Sequence, residues 1–238
     1  MKLLAKSLAA ASLAACAVSA APAIAQVQGR IATVDVTRAI IGTSALQTAY
    51  NQVSTTYSAQ IETRRAKNEQ RQTLLQGFDT NNDNEVNDAE LQAAQSSPQF
   101  AQLQTLEQEI AQLSNQIDSA RVYAIEQIFA QYPTSVQEVV TQQQIQMVFT
   151  PGSVLYAPPA ADITQQVTTS LNTKVPSVQI VPPAGWQPSR QGVQLFQDIQ
   201  QTLVAAQVLQ QRQQAAQQGN QQSPKAARAG TRTRGGRA

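Results

Sequence analysis

Hydrophobic positions along the chain change period several times, and each change marks an element. Residues 30–36 read RIATVDV. Ile31, Thr33, Val34 and Val36 are β-branched and follow Gly29, which predicts a short strand. From Thr37 the pattern turns helical. Leu46, Tyr50, Val53, Tyr57 and Ile61 recur every three or four residues and define one helix face. Residues 62–73 are polar or small, with Arg64, Arg65, Lys67 and Arg71 among Glu62 and Glu69; Leu74, Leu75 and Phe78 then resume the apolar side.

Gly77 to Asp88 is a polar break, and Leu91 opens a second helical stretch. Phe100, Leu103, Leu106, Ile110, Leu113, Ile117, Ala120 and Ala124 alternate steps of three and four, the repeat of a coiled-coil seam. Two amphipathic helices joined by a short polar break predict an antiparallel hairpin. Leu46 to Phe78 would span roughly 50 Å at helical rise. Pro133 is expected to kink or restart the returning helix.

Gln144 to Thr150 and Val154 to Ala157 read as strands split by a Pro151-Gly152 turn. Asp162 is a candidate N-cap for a helix through Leu171, and Val178 to Val181 is a further candidate strand. The hairpin is thus inserted between one early strand and the later ones. The remaining body holds roughly 70 residues, marginal for an independent core, so oligomerisation is the expected way to bury it. The fold class is α+β, mostly α.

Beyond the body, Pro182-Pro183 through Trp186-Gln187-Pro188 predicts an extended linker with one aromatic anchor that packs on the body. Ser189 is positioned to cap a glutamine-rich helix carrying Phe196, Ile199, Leu203 and Leu209. After Gln217 the composition is Gly, Ala, Gln and Arg, which predicts a disordered tail.

Composition narrows the chemistry. Lys2 and Lys6 precede an Ala/Leu-rich run, and Ala23-Ile24-Ala25 stands before Gln26, the layout of a secretory signal peptide cleaved after Ala25. Leu13-Ala14-Ala15-Cys16 also fits a lipoprotein processing box, with Cys16 as acylated residue, so a lipid anchor is the alternative. There is no histidine and Cys16 is the single cysteine. That inventory removes thiol nucleophiles, Ser-His-Asp triads and Cys/His zinc sites, and no phosphate-binding glycine loop is present. An enzyme is not expected. The chain has 17 Lys and Arg against 15 Asp and Glu, and discounting Lys2 and Lys6 makes the signs equal. Lys225, Arg228, Arg232, Arg234 and Arg237 all follow the last acid, Asp198. This basic tail predicts contact with an anionic membrane surface or acidic clients. The expected compartment argues against nucleic acid.

The polar break carries a second pattern. Asp79, Asn81 and Asp83 occupy positions 1, 3 and 5 of a twelve-residue calcium loop of EF-hand type. Glu85 would offer its carbonyl at position 7, Asn87 would act through water at 9, and Glu90 would bind bidentately at 12. Asn84 replaces the usual glycine, and Asn is the best non-glycine residue for the left-handed turn. The alternative is purely structural: Asn87 and Glu90 form a capping box for the next helix. No cofactor is required; Ca²⁺ at residues 79–90 is the candidate ligand.

Ile31-Ala32-Thr33-Val34-Asp35-Val36 with Arg38, the inserted hairpin, Gln146-Met147-Val148-Phe149, Pro151 to Tyr156, and Asp162-Ile163-Thr164 with Val167 together resemble the Skp/OmpH family of ATP-independent periplasmic chaperones. The resemblance covers roughly residues 29–175. It implies a homotrimer whose strands share a small β-barrel, with helical arms enclosing unfolded outer-membrane proteins. It makes Tyr50, Val53, Tyr57, Ile61, Leu74, Leu75, Phe78 and Phe100 candidate client contacts; the alternative is that they hold the two arm helices together. The arms are less basic than such a family suggests. The implied division is a signal peptide (1–25), a β-rich oligomerisation body (26–44 and 133–181), a hairpin arm (45–132) with its calcium-loop-like tip (79–90), a linker and glutamine-rich helix (182–218), and a basic tail (219–238). Two other functional readings compete: a coiled-coil envelope scaffold and a calcium-responsive binding module.

Overall fold

The computed structural model describes residues 29–81 and 83–222. The expected signal peptide, Cys16 and most of the basic tail lie outside them.

Strand β1 (Arg30–Thr33) is shorter than its β-branched run predicts. Asp35 ends it by capping α1 (Val36–Ile41), its carboxylate accepting the Arg38 N–H at 2.9 Å. Thr43 caps α2 (Ser44–Thr56), which passes at Tyr57 into α3 (Ser58–Gln76). Helical hydrogen bonds bridge the kink, from Tyr57 N–H to Val53 and from Ile61 N–H to Tyr57, both 2.9 Å. After the tip loop come α4 (Asp88–Ala94) and α5 (Pro98–Phe129), the latter capped by Ser97 with Pro98 in its first turn, where the missing N–H has no helical partner to lose. Pro133 restarts the chain as α6 (Tyr132–Gln142). Strand β2 (Ile145–Phe149) follows, then α7 (Thr164–Lys174) and α8 (Arg190–Gln222).

β1 and β2 pair in parallel, Ile31 with Met147 and Thr33 with Phe149, with an irregularity between Arg30 and Ile31. The whole hairpin is therefore the crossover between two neighbouring strands. The core beneath the sheet is formed by Ala32, Val34, Ile40, Ile125, Ile163 and Leu171 with their neighbours. A second cluster lies at the hairpin root: Ala49 and Val53 of α2 meet Ile117, Ala120 and Ala124 of α5. Farther out Lys67 reaches Glu109 at 2.6 Å, so the arm helices run antiparallel.

Two expected strands are absent from the described residues. Residues 154–157 form no ladder: Leu155 and Tyr156 stand in solvent after a short 3₁₀ turn. Residues 178–181 are extended but unpaired with any strand. Instead the Gln127 side-chain amide exchanges two hydrogen bonds with the Gln179 backbone, at 2.8 and 3.0 Å, while Ile180 buries against the hairpin root. The helix expected from Asp162 starts one step later, with Ile163 at the cap position. Asp162 still accepts the Thr164 N–H at 2.9 Å and pairs with Arg38 at 3.2 Å.

Candidate functional site

The arm divides the apolar candidates by depth. Val53 is fully buried at the root, where Tyr57 and Ile61 pack partly exposed beside it. Tyr50 is half-buried; its hydroxyl accepts from the Gln200 side chain at 3.2 Å, and the Arg121 guanidinium lies 5.8 Å from its ring. Burial raises its pKa above the ordinary phenol value, against the opposing pull of Arg121. Leu74 and the buried Phe78 line a cavity of about 400 Å³ at the tip, together with Glu90, Ala93 and Ala94. Leu75 lines a second opening of about 500 Å³ with Asp79, Val86 and Leu91. Phe100 is half-buried near the start of α5. Of the four cations on α3, Lys67 is paired with Glu109, and the exposed Arg65 lies 3.6 Å from Glu69.

The tip loop is a succession of side-chain-to-backbone turns. The Asp79 carboxylate accepts the Asn84 N–H at 2.9 Å, Asn81 accepts that of Asp83 at 2.8 Å, and Asp83 accepts that of Glu85 at 2.8 Å. Asn84 takes the left-handed conformation, φ 67°, that the pattern demands at this position. Glu90 faces another way. Its Oε1 accepts from the Thr80 N–H and hydroxyl, each at 2.8 Å, and from the Asn81 N–H at 3.3 Å; its Oε2 accepts the Asn87 N–H at 3.1 Å. The Asn87 N–H, then the Thr80 and Asn81 donors, hold the Glu90 carboxyl below the usual carboxylate range. Asn87 returns the bond to the Glu90 N–H, completing the capping box. The fit to Ca²⁺ is partial. Asp79 keeps one buried oxygen without a partner, yet Glu90 is committed to backbone amides. Among the described residues no three His, Cys, Asp or Glu side chains gather closely enough to hold a metal ion.

The largest exposed apolar groups lie elsewhere, and sequence reasoning did not single them out as a site. Ile31, Met147 and Phe149 show on the sheet and Leu155 and Tyr156 beside it; Val204, Val208 and Leu209 show on α8. The available signal was the alternation of β2, which puts Met147 and Phe149 on one face.

The family model described as Outer membrane protein (OmpH-like) matches residues 30–171. The chain belongs to the OmpH-like family. The match runs from β1 through the whole hairpin to Leu171 in α7, so both strands and the arm are family structure. A crystal structure from Caulobacter crescentus CB15, assigned as an OmpH-like outer membrane chaperone, aligns over 66% of this chain and 91% of its own, at 16% identity and a TM-score of 0.40. No curated protein matches the chain.

Residues after 171 lie outside the OmpH-like match, yet they are tied to the arm root. The Trp186 ring sits edge-on to Tyr123 of α5 with centroids 5.2 Å apart, and Leu195 and Ile199 of α8 enter the main core. Ser189 caps α8 as expected, its hydroxyl accepting the Gly192 N–H at 2.9 Å. Beyond Gln200 the helix is exposed on every side as far as residue 216. Among the described residues no helix is long and apolar enough to cross a membrane.

Proposed function

We propose that this protein is an ATP-independent periplasmic holdase that binds unfolded outer-membrane proteins and prevents their aggregation, acting as a homotrimer. The observation that carries the reading is the OmpH-like match across the strand pair and the complete inserted hairpin. The physical logic agrees. An unfolded β-barrel protein presents unpaired strand edges and apolar faces that associate in water. Several arms can hold such a chain through weak contacts whose combined retention needs no nucleotide. Tyr57, Ile61, Leu74, Leu75 and Phe100 are the proposed client contacts, because each keeps part of its apolar surface open on the arm. Tyr50, Val53 and Phe78 contribute mainly to the arm's own packing. The exposed Ile31, Met147 and Phe149 of a two-stranded sheet support a body shared between copies. No catalytic step and no required cofactor are part of this reading, and the basic tail is read as a contact for an anionic membrane surface.

Diluting a denatured outer-membrane β-barrel from urea tests the proposal. Suppressed aggregation at about one trimer per client is the expected result. Full aggregation in the presence of an intact trimer, checked by sedimentation, would reject it in favour of an envelope scaffold.

A second reading concerns the tip. The Asx turns at Asn81 and Asp83, the Asp79 bond to the Asn84 N–H, the left-handed Asn84 and the unpartnered Asp79 oxygen favour a weak Ca²⁺ site at residues 79–90. Asp79, Asn81, Asp83 and Glu90 would supply side-chain oxygens, Glu85 its carbonyl, and Asn87 a water-mediated contact. Binding requires Glu90 to leave the Thr80, Asn81 and Asn87 amides, so the metal would exchange one set of tip restraints for another.

A further inference from the structure

The two halves of α8 are amphipathic in opposite directions. In the first half Gly192, Leu195 and Ile199 are buried against the body. Past Gln200, at about 100° per residue, Val204, Ala205, Val208 and Leu209 fall on a face rotated roughly 140° from that buried side. Val204 is 59% exposed, Val208 40% and Leu209 57%. Leu203, nearer the body-facing side, is the most covered of the large apolar residues here, at 37%. Gln207, Gln210, Gln211, Gln213 and Gln214 occupy the other side, the direction in which the first half meets the core, while Gln201 stands at the start of the apolar face. The apolar face therefore looks away from the body and cannot extend its core.

Charge selects what covers this face. Arg212 lies near its middle, and after Asp198 the sequence contains only cations: Arg212, then Lys225, Arg228, Arg232, Arg234 and Arg237. A symmetric meeting of this face with itself, two-fold or about the axis of a trimer, would bring Arg212 toward its own copies, with no acid in the segment to neutralise them. A peptide partner would find no aromatic anchor and little but small aliphatic groups. A bilayer asks only for apolar area next to positive charge, and a long arginine can keep its guanidinium at headgroup level while the stem stays apolar. Neither signal alone holds a protein on a membrane firmly; an apolar face followed directly by a basic segment supplies two.

We propose that residues 201–216 of α8 form an interfacial membrane-binding helix that lays Val204, Val208 and Leu209 into an anionic phospholipid surface, with the basic tail as its electrostatic partner. The inference deepens the reading of the tail as a membrane contact and rests on it.

Flotation of the exported, processed protein with phosphatidylglycerol-containing vesicles, and with pure phosphatidylcholine vesicles, tests this. The wild type is expected to float with the anionic vesicles at low salt, to be released by high salt, and to ignore phosphatidylcholine. A V204Q/V208Q/L209Q variant, with unchanged far-ultraviolet dichroism, is expected to bind about tenfold more weakly. It should suppress client aggregation as well as the wild type, which separates this inference from the holdase proposal. Wild-type flotation by the triple variant, with loss on replacing the five tail cations by glutamine, would overturn the helix face and leave the tail contact standing. Absence of flotation by the wild type would overturn both. A lower sedimentation mass for the triple variant would make the face a subunit contact, and lost aggregation suppression would make it a client surface; either result overturns the proposal.

Discussion

Glu126 on α5 accepts two hydrogen bonds from Ser189 through one oxygen, from the backbone N–H at 2.7 Å and from the hydroxyl at 2.6 Å. The same hydroxyl accepts the Gly192 N–H, so one residue caps α8 and fastens it to the arm root. A Cβ on Gly192 would overlap the Glu126 carboxylate. Replacing Glu126 by Ala is expected to cost about 2 kcal/mol in urea unfolding, the usual effect of losing hydrogen bonds to a charged group. Gly192→Ala should cost a further ~1–3 kcal/mol class of penalty of its own, as an overpacked contact. Gln211→Ala, on the exposed half of α8, should stay within about 0.5 kcal/mol of wild type.

The hairpin root gives a sharper contrast. Ile117 is fully buried between the arm helices, whereas Leu203 keeps 37% of its surface. Ile117→Ala is expected to destabilise by about 3 kcal/mol, and Leu203→Ala by well under 1 kcal/mol. Denaturant midpoints compared at equal slope would check both.

At the tip, Asn87 accepts the Ala89 and Glu90 N–H groups at 3.0 and 3.1 Å. Asn87→Ala should lose about 1 kcal/mol of local stability. Hydrogen exchange should accelerate through residues 79–97 while the root, around Val53 and Ile117, keeps its protection. Uniform acceleration over the chain would show that the tip and root unfold together.

Stability should fall at both pH extremes. The Lys174 ammonium, then the Ser170 hydroxyl, hold the Glu138 carboxyl low; the Asn87 N–H, then the Thr80 donors, do the same for Glu90. Partial burial pushes Asp162 upward, but the Thr164 hydroxyl and N–H and the Arg38 charge outweigh it and leave it lowered. For all three the folded value lies below the unfolded one, so their stabilisation is complete above the ordinary carboxylate range, near pH 4–5, and is lost as pH falls through the folded values. Tyr132, stacked on Phe129, is pushed up to about 12 by burial and by Asp35. Its unfolded form ionises first, so alkaline destabilisation should start near pH 10 and level off about pH 12. Thermal midpoints across pH would check both limits.

Calorimetric titration with Ca²⁺ should give weak heat with the wild type and none with Glu90→Gln. Equal heats would remove position 12 from the ligand set, and no wild-type heat would leave residues 79–90 as a capping loop alone.

Much of this arrangement was legible because periodic burial leaves a periodic sequence. Leu103, Leu106, Ile117, Ala120 and Ala124 all lie buried in α5 at the predicted steps, and Pro133 and Ser189 begin helices where their chemistry requires. The missed strands show the limit of composition. β-branched composition marks a residue suited to an extended backbone, whereas a strand also needs a free neighbouring edge. Val154 to Ala157 pair with no strand, their Leu155 and Tyr156 standing in solvent, and Gln179 met a side-chain amide instead of a strand. The tip showed the reverse. Asn84 is left-handed where the loop pattern requires it, but Glu90 had two readings, loop ligand or capping-box partner, and composition does not rank them; its carboxylate accepts from Thr80, Asn81 and Asn87. The inverted face of α8 was hidden because the glutamine-rich background masks the change of direction near Gln200.

The parallel pairing of Ile31 with Met147 sets an order of events during folding. β1 is made before its partner, which does not exist until the entire arm and α6 have followed. Closing so long a loop is slow, whereas the arm helices need only near neighbours in sequence. Each newly made chain should therefore raise its arm before its sheet exists, and any assembly that depends on the sheet must wait for β2.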